Sequence, residues 1–159
     1  MIDVDNYNPE IQPYNAFVRY LDWFITTPFL ALVVFEYARA KIENPEIIDR
    51  DFESWWFVFL PIIMVTAGYL ALISKQKENA IFFFLLSWSA LLILFYLIFQ
   101  LSLRVDLDGL EIFFYAGWTL YGLAFLIPDY CVRSTAYNIL DFFNKVVFSI
   151  YVTFLFLSH

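Results

Sequence analysis

The sequence predicts an all-α fold, an integral membrane bundle of five transmembrane helices. Hydrophobic residues make up 62% of the 159-residue chain, whereas charged residues make up only 16%. A soluble domain of this length would expose too much apolar surface with such a composition. The apolar residues are gathered into five long segments separated by short polar stretches. These short connections predict that successive helices lie side by side and antiparallel.

The polar start of the chain is distinct from the rest. Residues 1–13 are polar and acidic, contain two prolines, and are predicted to form an N-terminal arm. Residues 14–159 then form the transmembrane bundle. The first helix is predicted from about Tyr14 to Lys41, with its apolar part from Leu21 to Phe35. A charged loop separates it from the second helix, predicted over roughly 54–74.

The other three helices are bounded by short polar turns. A lysine-rich turn at 75–79 precedes the third helix, predicted over about 80–103. A turn ending at Gly109 precedes the fourth, predicted from Leu110 to Ile127 and stopped by Pro128. The fifth is predicted over about 134–157. The bundle is therefore a multi-pass integral membrane protein, with the cell membrane as its expected location.

Charge and rare residues exclude several classes of function. The net charge of −7 argues against a nucleic-acid partner. Cys131 is the single cysteine and His159 the single histidine. An intrachain disulfide is therefore excluded, and no metal site is predicted.

A lysine in an apolar segment near the C-terminus is the most informative residue. Lys145 follows Asp141 by four residues, so the two side chains share one face of a helix. A charged amine within a membrane is costly and is usually functional. A buried lysine amine is also a candidate for Schiff-base chemistry with a carbonyl compound.

Further polar residues lie in the first predicted helix. Asp22 and Thr26 are four residues apart and share a face, and Arg19 lies one turn before Asp22. Trp23 and Thr27 share the adjacent face. Together with the lysine, these groups would suit a long apolar molecule attached to the amine, with carboxylates as its counterions.

The fourth predicted helix adds an aromatic stripe. Trp118, Tyr121 and Phe125 are spaced by three and four residues and therefore share a face.

Each of these groups of residues also has a simpler, purely structural interpretation. The ion pairs could be purely structural, and the stripe could be ordinary core packing. Thr26 and Thr27 could donate to the carbonyl one turn back.

Three of these motifs resemble the microbial (type 1) rhodopsins of the proteorhodopsin and bacteriorhodopsin kind. The run from Arg19 to Trp23, followed by Thr26-Thr27-Pro28, resembles their third helix. The run Asp141-Phe-Phe-Asn-Lys145 resembles their retinal-lysine segment, and Gly117-Trp118 with Tyr121 resembles their sixth helix. Weaker matches lie in the second and third predicted helices of this chain.

The resemblance implies a role for each residue. Lys145 would carry all-trans retinal, covalently bound as a protonated Schiff base. Asp22 would be the counterion and proton acceptor, Asp141 the second counterion, and Arg19 the group that tunes both. Thr26 would form a hydrogen bond with Asp22. The residues expected to line the retinal are Trp23, Thr27, Leu30, Met64, Gly68, Ser87, Leu91, Trp118, Tyr121 and Phe125.

The implied function is light-driven proton transfer or transport, without enzymatic activity. Val33 lies eleven residues after Asp22, where proton pumps of the family usually have a carboxylate. Valine cannot donate a proton, so a slow-cycling photosensor or a light-gated channel is the alternative. Glu36, one turn further on, is a weaker candidate donor. A third possibility, from another class, is a chromophore-free or split membrane subunit.

The resemblance also bears on architecture and partners. The five predicted helices would be equivalent to helices three to seven of a microbial rhodopsin, so the first two are expected to be missing. One flank would then expose Arg19, Asp22 and Asp141. Because unpaired charge in hydrocarbon is unfavourable, a homo-oligomer or a separate two-helix partner is expected to cover that flank.

Overall fold

The computed structural model describes residues 11–42, 46 and 53–158, with side chains from Ala16 onward. Within this part of the chain the architecture is entirely helical, with five helices and no strand. The helices are α1 (Ile11–Lys41), α2 (Trp56–Ile73), α3 (Lys77–Ser102), α4 (Leu110–Phe125) and α5 (Tyr130–Ser158). The predicted all-α class and the number of helices are confirmed.

Helix α5 is not uniform along its length. It is α-helical over Tyr130–Asp141 and Phe148–Ser158, and π-helical over Phe142–Val147. Its start lies four residues before the predicted Ser134. The Asp129 carboxylate accepts a hydrogen bond from the Val132 amide at 2.8 Å. This side-chain cap satisfies an amide of the first turn.

Helix α1 also begins earlier than predicted, at Ile11 rather than Tyr14. The last residues of the predicted polar arm, 11–13, are therefore helical. The rest of that arm, residues 1–10, lies outside the described residues, as does most of the predicted loop between α1 and α2.

The helices have the length and composition of membrane spans. Four described segments are long and apolar enough to cross a bilayer: Ala16–Lys41, Trp56–Ile73, Lys77–Ser102 and Tyr130–Ser158. Helix α4 is apolar but has only 16 residues, which correspond to about 24 Å. The chain is thus an integral, multi-pass membrane protein.

The outward-facing side chains fit this environment. Large apolar residues on the spans are exposed, among them Phe29, Ile93, Ile112 and Ile150. In hydrocarbon such side chains are solvated, while each helix satisfies its own backbone hydrogen bonds. The burial of apolar surface therefore does not dictate which faces pack inward, and small and polar residues become important at the contacts.

The contacts between residues group the chain into two compact units. The first comprises Met1–Val33 and Glu46–Tyr96. Its core includes three alanines, Ala67, Ala71 and Ala90, which are buried. Small residues of this kind allow helix backbones to approach closely.

The second unit comprises Val34–Pro45 and Leu97–His159. Fully buried aliphatic and aromatic side chains form its core: Val34, Phe35, Leu101, Leu107, Leu110 and Phe114. The loop between α3 and α4 contributes to this core through Leu107 and leads directly into α4.

A polar cluster around Asp108 stabilises that loop. The sequence did not predict this cluster. The Asp108 carboxylate accepts a hydrogen bond from the Tyr37 hydroxyl and forms an ion pair with Lys41. The Tyr151 hydroxyl donates to the main-chain oxygen of Asp108. Asp108 has a φ of +52° and Gly109 a φ of +83°. Aspartate tolerates this left-handed conformation better than most residues, so the tight turn can present its carboxylate to both partners.

Replacing Asp108 by alanine should lower the free energy of unfolding by about 2 kcal/mol, because two donors lose a partly buried acceptor. The measurement is thermal or denaturant unfolding in a mild detergent. The matched control is Glu36→Gln, which removes an exposed ion pair with Arg39 at 3.5 Å and should change stability by less than about 0.5 kcal/mol. Equal unfolding midpoints for the two variants would contradict a stabilising role for the Asp108 cluster.

Candidate functional site

A lysine, a carboxylate and a tyrosine meet in the second unit. Lys145 Nζ lies 3.4 Å from Asp141 Oδ1, one turn earlier on α5. The Tyr121 hydroxyl of α4 donates a hydrogen bond to the same oxygen at 2.6 Å. The side chains of Lys145 and Asp141 are only 27% and 22% exposed. The Asp141 carboxylate can therefore neutralise a positive charge on Nζ while the tyrosine stabilises the carboxylate.

The π-helical segment positions this lysine. Lys145 lies within Phe142–Val147, and α-helical geometry resumes at Phe148, three residues after the lysine. A π-helical turn is wider than an α-helical one, and short π segments are frequent at functional sites. The sequence predicted one uninterrupted α-helix here, because apolar periodicity does not reveal a single wide turn.

Aromatic side chains of α4 and α5 lie in the same unit. Trp118 is buried, and its ring stacks on Phe114 with centroids 4.4 Å apart. Tyr121 stacks on Tyr137 of α5 with centroids 6.0 Å apart. Phe125, the third residue of the predicted stripe, is half-buried. Phe114 was not predicted, although its position four residues before Trp118 places it on the same helix face.

The predicted residues of α1 lie in the first unit. Thr26 Oγ1 donates to the main-chain oxygen of Asp22 at 2.9 Å, as in the alternative left open for membrane threonines. Asp22 itself is exposed, Arg19 and Leu30 are half-buried, and Thr27 is buried.

A second aromatic and polar group forms in that unit. Trp23 is buried and meets the ring of Tyr20 edge-on, with centroids 5.0 Å apart. Tyr20 and Ser87 both lie close to Gly68 of α2. A Cβ added at this glycine would be 3.4 Å from Tyr20 Cε1 and 3.5 Å from Ser87 Oγ. Ser87 donates to the main-chain oxygen of Met64 at 2.8 Å. Residues predicted from weak motifs in α2 and α3 are thus neighbours, with Tyr20 as an unpredicted member of the group.

The remaining predicted residue of α3, Leu91, is buried in the first unit. The described part of the chain holds no group of three or more histidine, cysteine, aspartate or glutamate side chains that could bind a metal ion.

The comparisons with known proteins define the class. The model of the family described as "Bacteriorhodopsin-like protein" matches residues 4–158. The chain therefore belongs to the bacteriorhodopsin-like family of microbial rhodopsins, and the resemblance inferred from its motifs is confirmed. This family comprises light-driven transporters and photosensors rather than classical enzymes. Family and fold together support a retinal-binding, light-driven membrane protein.

A solved structure shows the same fold. The crystal structure of the Exiguobacterium sibiricum rhodopsin matches with a TM-score of 0.69 and 21% sequence identity, over 87% of this chain and 70% of that one. No curated protein matches the sequence.

The side chains of the second unit fit a retinal bound to a lysine. The amine of Lys145 is partly buried and has a carboxylate counterion within 3.4 Å. Trp118 and Phe114 are buried aromatic residues of α4 in the same unit, and their rings stack on each other. One buried donor, the Asn144 Nδ2, has no hydrogen-bond partner among the described residues. An ionisable amine, a counterion and aromatic walls are what a protonated imine on an apolar polyene requires.

Proposed function

We propose that this protein performs light-driven proton transfer across the membrane, with all-trans retinal bound covalently to Lys145. The observation that carries the proposal is the contact between Lys145 and Asp141, which Tyr121 reinforces. When bound, the retinal supplies absorption of visible light and a light-driven change of shape at the amine.

The residues around the amine have electrostatic roles. Asp141 lies close enough to Lys145 Nζ to stabilise a positive charge there, and its effect is strengthened by the low dielectric of a membrane interior. The hydrogen bond from Tyr121 holds the carboxylate in place and disperses part of its negative charge. Asp141 is therefore proposed as a counterion rather than as the group that takes the proton away.

Asp22 is proposed as the proton acceptor. Its position in the Arg19–Trp23 run supports this role, since that run resembles the acceptor segment of outward proton pumps. Thr26 is tied to the Asp22 main chain at 2.9 Å, which stabilises the helix turn that carries the carboxylate. Arg19, one turn earlier, is proposed to tune the charge of both aspartates.

Illumination of cells containing the retinal-loaded protein should acidify the medium, and an unchanged pH would contradict transport.

A photosensor or a light-gated channel is the second candidate, supported by the residues that follow Asp22. Val33 is apolar and half-buried, and Glu36 is exposed and paired with Arg39 at 3.5 Å. Neither Val33 nor Glu36 is therefore well suited to return a proton quickly to the amine of Lys145. Recovery of the initial absorption within milliseconds of a flash would favour the pump. Recovery over seconds that is accelerated by azide would favour the sensor.

We further propose that protein, rather than lipid, covers the Asp22 face of α1. Asp22 is exposed together with its neighbours Leu21, Phe24 and Ile25. A carboxylate that faces hydrocarbon is strongly unfavourable, whereas its apolar neighbours are not. A second copy of the chain or a separate pair of helices would provide the cover. The mass of the coloured protein in mild detergent tests this, and a fully coloured monomer without any companion chain would contradict it.

A further inference from the structure

The π-helical segment of α5 buries a polar side chain. Asn144 is only 4% exposed, whereas the neighbouring Phe142, Phe143 and Val146 are exposed. An apolar residue would be expected at a buried position of a membrane helix, because an amide loses its hydration there. Asn144 directly precedes Lys145, so its placement bears on the position of the amine.

The Asn144 amide is also incompletely satisfied. Its Nδ2 is buried and has no hydrogen-bond partner among the described residues. Buried polar groups nearly always have a partner in folded proteins. A buried donor without a partner is unfavourable for folding, so the stability of the fold does not by itself account for an amide at this position.

A glycine on α4 provides the space that Asn144 occupies. A Cβ added at Gly117 would lie 2.7 Å from both Cγ and Nδ2 of Asn144, closer than real Cβ atoms approach other atoms. Glycine within a helix is less favourable than alanine, and the contact with Asn144 explains its presence. The two residues are therefore sterically complementary across α4 and α5.

We propose that Asn144, seated against Gly117, is a positioning residue that fixes where Lys145 leaves the π-helical turn. The wedge of the amide against α4 prevents the turn from rotating or returning to α-helical geometry. The amine of Lys145 is then held within reach of Asp141. This inference rests on the proposed function, in which Lys145 binds retinal.

The test compares Gly117→Ala, Asn144→Ala and the double variant. In Gly117→Ala the new Cβ displaces the Asn144 amide, so the apoprotein should melt at a lower temperature. In the double variant the clash is relieved, and the melting temperature should return close to that of the wild type. Asn138→Ala is the matched control, because Asn138 is exposed on the same helix, and it should bind retinal as the wild type does.

Positioning is distinguished from packing by the visible spectrum. Asn144→Ala and the double variant should both bind retinal about tenfold more slowly than the wild type, as expected when a reacting group is misplaced. Both should also have a shifted absorption maximum. Recovery of melting temperature, spectrum and binding rate together in the double variant would overturn the inference, since the pair would then serve packing only. An unaltered Gly117→Ala protein would also overturn it.

Failure of the proposed function has a different signature. A wild-type protein that develops no visible band with retinal would refute the proposed function, and this inference with it. A normal band in the wild type, combined with an unshifted spectrum in Asn144→Ala, would refute only the positioning role.

Discussion

Replacing Lys145 by alanine should abolish the visible absorption band that the protein develops with all-trans retinal. Only a primary amine can form the imine, and alanine removes it without adding bulk. The other three lysines are Lys41, Lys75 and Lys77. Lys41 forms the ion pair with Asp108, while Lys75 and Lys77 are exposed between α2 and the start of α3. The expected loss is therefore complete, and the measurement is the absorption spectrum after addition of retinal to the purified apoprotein.

Lys77→Ala is the matched control for this experiment. Lys77 is exposed at the first residue of α3, so its removal should leave the band unchanged. A band that persists in Lys145→Ala would show that retinal binds elsewhere. A wild-type protein without any band would favour the chromophore-free subunit considered from the sequence.

Replacing Asp22 by asparagine should abolish light-driven acidification while the protein still binds retinal. Asparagine has nearly the same shape as aspartate, but it has no carboxylate to accept a proton. Lys145 and Asp141 are unchanged, so the imine and its counterion remain. Proton release into the medium should fall at least tenfold, to the level of cells without retinal. The measurement is the pH of an unbuffered cell suspension under illumination.

Asp129→Asn controls for the loss of one carboxylate elsewhere. Asp129 caps the start of α5, and asparagine is an equally good capping residue. Its light-driven acidification should equal that of the wild type. Undiminished acidification in Asp22→Asn would exclude Asp22 as the acceptor. Loss of colour in that variant would instead indicate that Asp22 is needed to stabilise the charged imine.

Much of the site could be predicted from spacing along the chain. Asp141 and Lys145 are four residues apart, and an α-helix brings such residues onto one face. The two side chains do approach each other in the structure, although the turn between them is π-helical rather than α-helical. The class of protein could be predicted in the same way, because runs of about twenty apolar residues can hardly be accommodated outside a membrane.

Contacts between helices could not be predicted in this way. Tyr121 was expected to line an apolar ligand, whereas its hydroxyl also binds Asp141 from another helix. The fit of Asn144 against Gly117 depends on the distance between α4 and α5. The cluster at Asp108 joins residues that are distant in sequence, including Lys41 and Tyr151. The periodicity of residues within one helix does not indicate which side chains of different helices will meet.

Residue types and their spacing were enough to predict a membrane-embedded helical bundle with a lysine and an aspartate on one helix face. Those properties depend only on segment length, hydrophobicity and residue spacing within one helix. Three features became visible only in the folded chain: a π-helical turn carries the lysine, Tyr121 donates a hydrogen bond to its counterion, and a glycine makes room for Asn144. These features arise from the close approach of helix surfaces, where single atoms decide which side chains fit.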